Sequence, residues 1–177
     1  LGREYGNVGD YDSVFPGLNA RMQEFSAVLG LKTLESLETN ILARNDLAAV
    51  YRRELAAVPG ISFQLVHPAD RCSYKDLTVM VDEAAFGLGR NVLAAALLAE
   101  GVDTRRYFDP PVHRHTLYRP YWDQQGGALP VTERLARECL SLPMYAHLTA
   151  EAVRGVCQAL RRIQEHAAEV RAAGLRT

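Results

Sequence analysis

Apolar side chains recur every three or four positions over the first third of the chain. This spacing is typical of amphipathic helices, whose apolar face repeats once per turn. Gly30 predicts a break between a short helix and a long one, and Pro59-Gly60 predicts the end of the long helix. The positions that carry the pattern are Met22, Phe25, Val28, Leu29, Leu34, Leu37, Ile41, Leu42, Leu47, Val50, Tyr51 and Leu55.

Four short stretches have the composition of β-strands. Residues 61–66 and 77–81 predict two strands that pair, and the second (Leu-Thr-Val-Met-Val) is expected in the centre of a sheet. Residues 102–108 predict a further strand, which Asp109-Pro110-Pro111 ends. Residues 140–142 predict a brief strand before Pro143.

The second half of the chain carries three further helical segments. They are residues 91–100, which end at Gly101, residues 131–138, and a last helix that Thr149 caps and that frays near Gly174. Helices and strands in this order predict an α/β fold of the α+β type, in which helices cover a small sheet. The apolar face of the last helix is Val153, Val156, Leu160 and Ile163.

Composition narrows the class of protein. A chain of 177 residues that is 48% hydrophobic can bury one substantial core. The net charge of −1 includes no basic block, which argues against a nucleic-acid partner. The absence of a long apolar run argues against a membrane partner, and the three cysteines suit reduced thiols in a cytoplasmic protein. Residues 1–18, rich in glycine and aromatic side chains, predict an extended arm.

Three separated motifs indicate a family. They are residues 17–22 (Gly-Leu-Asn-Ala-Arg-Met), residues 110–113 (Pro-Pro-Val-His) and residues 141–144 (Ser-Leu-Pro-Met). With them, residues 9–164 resemble the C-terminal part of the DegT/DnrJ/EryC1/StrS sugar aminotransferases, which use pyridoxal 5′-phosphate.

The resemblance implies fold type I and a homodimer whose active sites are shared between subunits. It also implies an arm at residues 1–20, connecting helices at 21–58 and a small C-terminal domain at 59–177.

Asn19 and Arg21 are the residues that the resemblance assigns to the cofactor. The matching asparagine of the family donates its amide to the cofactor phosphate in the other subunit, and a helix start suits that anion. From the residues alone, Asn19 is the N-cap of the helix that follows. Arg21 matches the family's arginine, and its alternative is to hold the motif together.

Four residues are candidates for contact with the sugar-nucleotide substrate. Tyr107 and His113 lie in a segment that resembles the loop at the mouth of the family's active site, and their rings suit a sugar or base. Residues 73–76 are similar to a family segment whose polar side chains face the substrate, and Lys75 there suits a phosphate or a carboxylate of the substrate. Tyr11 is expected near the neighbouring active site because it precedes the Asn19 motif. The alternatives are a surface loop whose rings pack on the domain for Tyr107 and His113, and a solvated lysine for Lys75. For Tyr11 the alternative is an aromatic side chain of the subunit interface. His113 and His115 have no third ligand at a metal-site spacing.

Neither lysine of the chain, Lys32 or Lys75, stands where the family places its Schiff-base lysine, which belongs upstream of the Gly-x-Asn motif. The expected function is therefore that of the C-terminal part of an enzyme that transfers an amino group, commonly from glutamate, to a keto carbon of a nucleotide-linked sugar. The chain by itself is expected to be inactive, with its true N-terminus missing. The alternative is a non-catalytic binding or dimerisation module on the same scaffold.

Overall fold

The computed structural model describes residues 22–174, apart from the side chain of Gln125. The described residues divide into two compact units, with the boundary between Asn40 and Ile41. Tyr11, Asn19 and Arg21 lie outside the described residues.

The described part of the first unit is helical. Helix α1 (Glu24–Glu35) passes through Gly30, and the chain breaks instead at Ser36, whose hydroxyl donates to the Thr33 carbonyl at 3.1 Å. The predicted break at Gly30 is wrong, because one glycine inside a helix costs only about 1 kcal/mol. None of the α1 residues is buried.

Helix α2 (Leu37–Leu55) contains the boundary between the units and contributes its second half to the core of the larger one. Leu47, Ala48, Tyr51 and Leu55 are buried there at the spacing of one helix face. The helix ends just before Pro59-Gly60, and Gly60 adopts the left-handed conformation that a glycine tolerates (φ 75°).

A three-stranded antiparallel sheet forms the centre of the larger unit. Its strands are β1 (Ile61–Phe63), β2 (Leu77–Val81) and β3 (Cys139–Leu142), in the order β1-β2-β3. Val79 faces Phe63 in β1 and Leu140 in β3. The predicted central strand is confirmed at its full length, whereas the strand expected at residues 61–66 ends after three residues.

Helices complete the core around the sheet. Helix α4 (Arg90–Ala99) and helix α7 (Ala150–Glu165) contact each other, and α4 also contacts β3. Thr149 caps α7 as predicted, with its hydroxyl accepting from the Ala152 amide at 3.1 Å. The predicted apolar face of α7 is buried in the core. The fold is therefore α/β, a small sheet covered by helices.

Shorter elements connect these parts. They are α3 (Glu83–Phe86), a 3-10 turn (Val112–Arg114), α5 (Arg119–Gln125), α6 (Pro130–Glu138) and α8 (Ala167–Ala172). The predicted helices at 91–100 and 131–138 match α4 and α6 within one residue. The last helix breaks at His166 instead of running on into the tail.

The strand predicted at residues 102–108 is wrong. In that segment, Arg105 alone pairs with β3, through two backbone hydrogen bonds with Ser141 of 3.0 and 2.8 Å. A turn follows at once, in which the Asp109 amide donates to the Arg106 carbonyl at 3.1 Å. The composition favours a strand, but the chain turns away from β3 after this single bridge.

The three cysteines are free, as expected. Cys157 is buried on α7, and burial raises the pKa of its thiol to about 12. A thiol with such a pKa stays protonated near neutral pH and is a packing residue. In the described part of the chain, no helix is both long and apolar enough to cross a membrane.

Candidate functional site

A cleft opens on the free edge of β3, beside the single bridge at Arg105. We call it the Tyr107 cleft; it has a volume of about 550 Å³. Its walls come from the start of β2, the segment after α4, the end of β3 with the loop that follows, and one turn of α7. Its polar lining residues are Asp76, Asp103, Arg105, Tyr107, Ser141 and Tyr145.

Charged side chains of both signs stand at this cleft. The Arg105 guanidinium lies 2.7 Å from the Asp103 carboxylate, and both side chains are well exposed. The Lys75 ammonium lies 3.1 Å from the Asp76 carboxylate and 5.9 Å from the centre of the Tyr107 ring. The fold thus brings together Lys75 and Tyr107, two residues that the sequence analysis selected separately.

The floor of the cleft is held by hydrogen bonds to the core. The Tyr51 hydroxyl on α2 donates to the Pro143 carbonyl at 2.9 Å, which ties the loop after β3 to the helix beneath it. Burial raises the pKa of Tyr51, so the hydroxyl keeps its proton and remains a donor. Ser141 and Thr78 share a hydroxyl hydrogen bond of 2.7 Å between neighbouring strands. The cleft is therefore a preformed surface.

His113 faces a different pocket. It lies in the 3-10 turn, and its Nε2 donates to the Glu133 carboxylate of α6 at 2.8 Å. Its ring centre is 5.1 Å from that of Trp122. We call this the aromatic pocket; it is about 410 Å³ in volume and is lined by Val112, His113, Tyr118, Tyr121, Trp122, Leu129 and Thr132.

Glu133 organises the turn that carries His113. One of its carboxylate oxygens accepts both from His113 Nε2 and from Arg114 Nε, each at 2.8 Å. These two hydrogen bonds, with that from His113 the larger effect, lower the pKa of the Glu133 carboxyl. His113 therefore has a fixed orientation, with one ring nitrogen already engaged.

The described residues contain no obvious metal centre. The Nε2 of His115 donates to the Pro110 carbonyl at 2.9 Å, while His113 binds Glu133, so the two histidines have separate partners. Within residues 22–174, no group of three or more His, Cys, Asp or Glu side chains is placed to hold a metal ion.

Both lysines are exposed and each pairs with a carboxylate. Lys32 pairs with Glu35 at 2.5 Å on the surface of α1, and its side chain is 76% exposed. The Lys75 side chain is 82% exposed and pairs with Asp76. A lysine that forms a Schiff base needs desolvated or positively charged surroundings that favour the neutral amine. These two lysines have the opposite surroundings.

Sequence reasoning missed Arg105 and Tyr145 as lining residues of the cleft. It also missed Arg90, whose guanidinium donates to Asp109, two residues after Tyr107. Arg105 and Tyr145 reach the cleft through contacts between distant segments, for which a single sequence has no local signal. Arg90 stands at the start of an alanine-rich helix, where an arginine reads as a solvated residue.

Comparison with known proteins places these features in a family. A sequence model of the DegT/DnrJ/EryC1/StrS aminotransferase family matches residues 2–161. Over 151 residues the chain is 26% identical to dTDP-4-amino-4,6-dideoxy-D-glucose transaminase of Escherichia coli, covering 85% of the chain and 40% of that enzyme.

Over 159 residues the chain is 32% identical to the erythromycin biosynthesis sensory transduction protein EryC1 of Saccharopolyspora erythraea, covering 90% of the chain and 42% of that protein. The chain spans about two fifths of the length of these relatives.

The chain also superposes on solved structures. The crystal structure of DesI in the presence of its TDP-sugar product superposes with a TM-score of 0.87 at 32% identity, over 97% of this chain and 43% of that one. DesV of S. venezuelae, solved in complex with a ketimine intermediate, superposes with a TM-score of 0.79 at 31% identity, over 93% and 42%.

Proposed function

Because the chain belongs to the DegT/DnrJ/EryC1/StrS aminotransferase family, we propose that it is the C-terminal part of an aminotransferase that acts on a keto group of a nucleotide-linked sugar. The observation that carries the proposal is the match of the family model over residues 2–161. The superposition on DesI, solved with a TDP-sugar, supports the substrate class. Glutamate is the amino donor that we propose.

We propose pyridoxal 5′-phosphate as the cofactor. When bound, it supplies an electron sink that stabilises the charge developing on carbon while the amino group is transferred. Asn19 is proposed to donate its side-chain amide to the cofactor phosphate of the partner subunit, and Arg21 to support the same motif. In this arrangement residues 1–20 form the interface arm, residues 21–58 the connecting helices and residues 59–177 the small domain of a homodimer.

The described residues are proposed to act on the substrate side. Lys75 has an exposed ammonium beside Tyr107, and this pair suits a phosphate next to a sugar ring. Tyr107 is 40% exposed, so part of its ring is available to a ligand. His113 is oriented by Glu133 and presents an imidazole in an aromatic pocket. Tyr11 is proposed to approach the same substrate from the arm.

The catalytic lysine is proposed to lie outside this chain, since Lys32 and Lys75 are both exposed and each pairs with a carboxylate. This makes a clear prediction for the protein as cells produce it. After borohydride reduction, the natively purified protein should have a mass about twice 19.6 kDa or more. A lysine upstream of Leu1 should carry a phosphopyridoxyl group. An unreduced sample is the control for the adduct.

An intact polypeptide mass of 19.6 kDa without an adduct would overturn the enzyme proposal. The chain would then be better explained as a binding or dimerisation module on the family scaffold.

A second measurement tests Asn19 directly. An Asn19 variant and a control variant of the natural protein are titrated with pyridoxal phosphate, and the absorbance of the cofactor is followed. Asn19→Ala should weaken cofactor binding by about tenfold, the effect of losing a hydrogen bond to a charged group. Asn40→Ala is the control, since the Asn40 side chain donates to the hydroxyl of Ser36, one turn earlier in the chain.

A further inference from the structure

Arg90 is a buried arginine at the first turn of α4, with its side chain 3% exposed. Its Nη2 donates to the Asp109 carboxylate at 2.6 Å and to the Ala136 carbonyl of α6 at 3.0 Å. Its Nη1 donates to the Cys139 carbonyl, where β3 begins, at 3.4 Å. One guanidinium therefore connects α4 with three other segments.

This arrangement is not explained by stability alone. A buried ion pair gives little net stabilisation, and an apolar residue of similar size often serves as well or better. The Nε of Arg90 is buried without a hydrogen-bond partner among residues 22–174, which adds a cost. Because the expected net stabilisation is small, we look for the role of Arg90 in the positions at which it holds its hydrogen-bond acceptors.

The acceptor with the clearest link to function is Asp109. It lies two residues after Tyr107 and four residues before His113, in the middle of the segment proposed to contact substrate. We call residues 107–113 the substrate loop. The Asp109 amide also donates to the Arg106 carbonyl, so the backbone and the side chain of Asp109 are both held.

The other two acceptors of Arg90 are backbone carbonyls in β3 and α6. Ala136 lies in the last turn of α6, where the negative end of the helix dipole favours a cation. α6 also carries Glu133, the partner of His113. Arg90 and Glu133 thus link both halves of the substrate loop to the same helix.

We propose that Arg90 is a positioning residue that holds the substrate loop in a conformation ready for the nucleotide sugar. The inference rests on the proposed function. Arg90 acts through Asp109 and does not itself touch the substrate. Lysine cannot replace it, because an ammonium lacks the planar fork that reaches the carboxylate and two carbonyls together.

The test compares three variants of the full natural protein. Arg90→Lys keeps the charge and removes the fork, and Asp109→Asn keeps the shape and removes the carboxylate. Arg161→Lys is the matched control, because Arg161 pairs with Glu54 at 3.1 Å and is not part of the substrate loop. Hydrogen exchange is measured without ligand at the hydrogen-bonded amides of Asp109, Arg114 and His115, and binding of thymidine diphosphate and of uridine diphosphate is measured by calorimetry.

Arg90→Lys and Asp109→Asn should each speed exchange at these amides and raise the Kd for the nucleoside diphosphate by about tenfold, the cost of ordering roughly two side chains again. Arg161→Lys should change the Kd less than about twofold, since a partly exposed pair contributes little. Unchanged exchange or an unchanged Kd in both loop variants would overturn the positioning role. A wild-type protein without affinity for either thymidine diphosphate or uridine diphosphate would overturn the proposed function and the positioning role with it.

Discussion

Replacing Gly60 by alanine should destabilise the protein far more than the same replacement at Gly101. Both glycines have positive φ angles of nearly the same size, 75° and 79°. They differ in the space around them. A Cβ at Gly60 would lie 2.4 Å from the Phe86 amide nitrogen and 2.7 Å from the Asp82 carbonyl oxygen, whereas a Cβ at Gly101 would meet nothing within 4 Å.

The expected magnitudes follow from these two environments. An alanine in the left-handed region costs about 1 to 2 kcal/mol, and the stiffer unfolded chain returns part of it, which leaves about 1 kcal/mol for Gly101→Ala. Gly60→Ala adds overpacking against backbone atoms that cannot rotate away, worth about 2 kcal/mol more. The total for Gly60→Ala is therefore about 3 kcal/mol.

Urea unfolding followed by far-ultraviolet circular dichroism gives the free energy of unfolding for each variant. Equally small losses of unfolding free energy for Gly60→Ala and Gly101→Ala would refute the reasoning, because they would mean that the turn before β1 has room for a side chain. A large loss at both positions would also refute it, since strain in φ would then outweigh the contact with Phe86 and Asp82.

Three further changes test the described fold and site. The pKa of the Glu133 carboxyl is lowered, so the carboxylate stabilises the fold fully at pH values above 4.5, its ordinary pKa. This stabilisation is lost as the pH falls through the lowered pKa. Glu133→Gln should remove this acid dependence, which is measured as the urea midpoint from neutral to acidic pH. Thr149→Ala should cost about 1 kcal/mol of unfolding free energy by removing the cap of α7, and Thr149→Ser should restore it. Leu160→Ala, at a fully buried position, should cost about 3 kcal/mol, while Leu65→Ala, at a fully exposed one, should change the same free energy by less than about 0.5 kcal/mol.

Much of the fold could be predicted because its determinants are local. β2 has three β-branched residues among its five and alternating burial, and α7 has a cap and one continuous apolar face. The same reasoning failed at residues 102–108, whose composition is equally suited to a strand. Whether such a segment becomes a strand depends on how far it runs along a partner edge, and here the chain turns away from β3 directly after the bridge at Arg105.

The candidate site was harder to predict because its members meet across the fold. Lys75 precedes β2 and Tyr107 follows α4, and they approach only because Arg105 forms its bridge on the far edge of β3. Arg90 gave no signal at all, since its three acceptors come from three separate segments.

Tyr107 and His113 show why the loop, more than any one residue, sets what this site can bind. Their closeness in sequence suggests a single patch, yet Tyr107 lines the cleft and His113 lines the aromatic pocket. Pro111 between them is buried, and Glu133 holds His113 against α6. Under the proposed function, a substrate that contacts both rings has to extend from the cleft to the pocket. Its affinity then depends on the separation of the two rings, which Arg90 and Glu133 control from outside the loop.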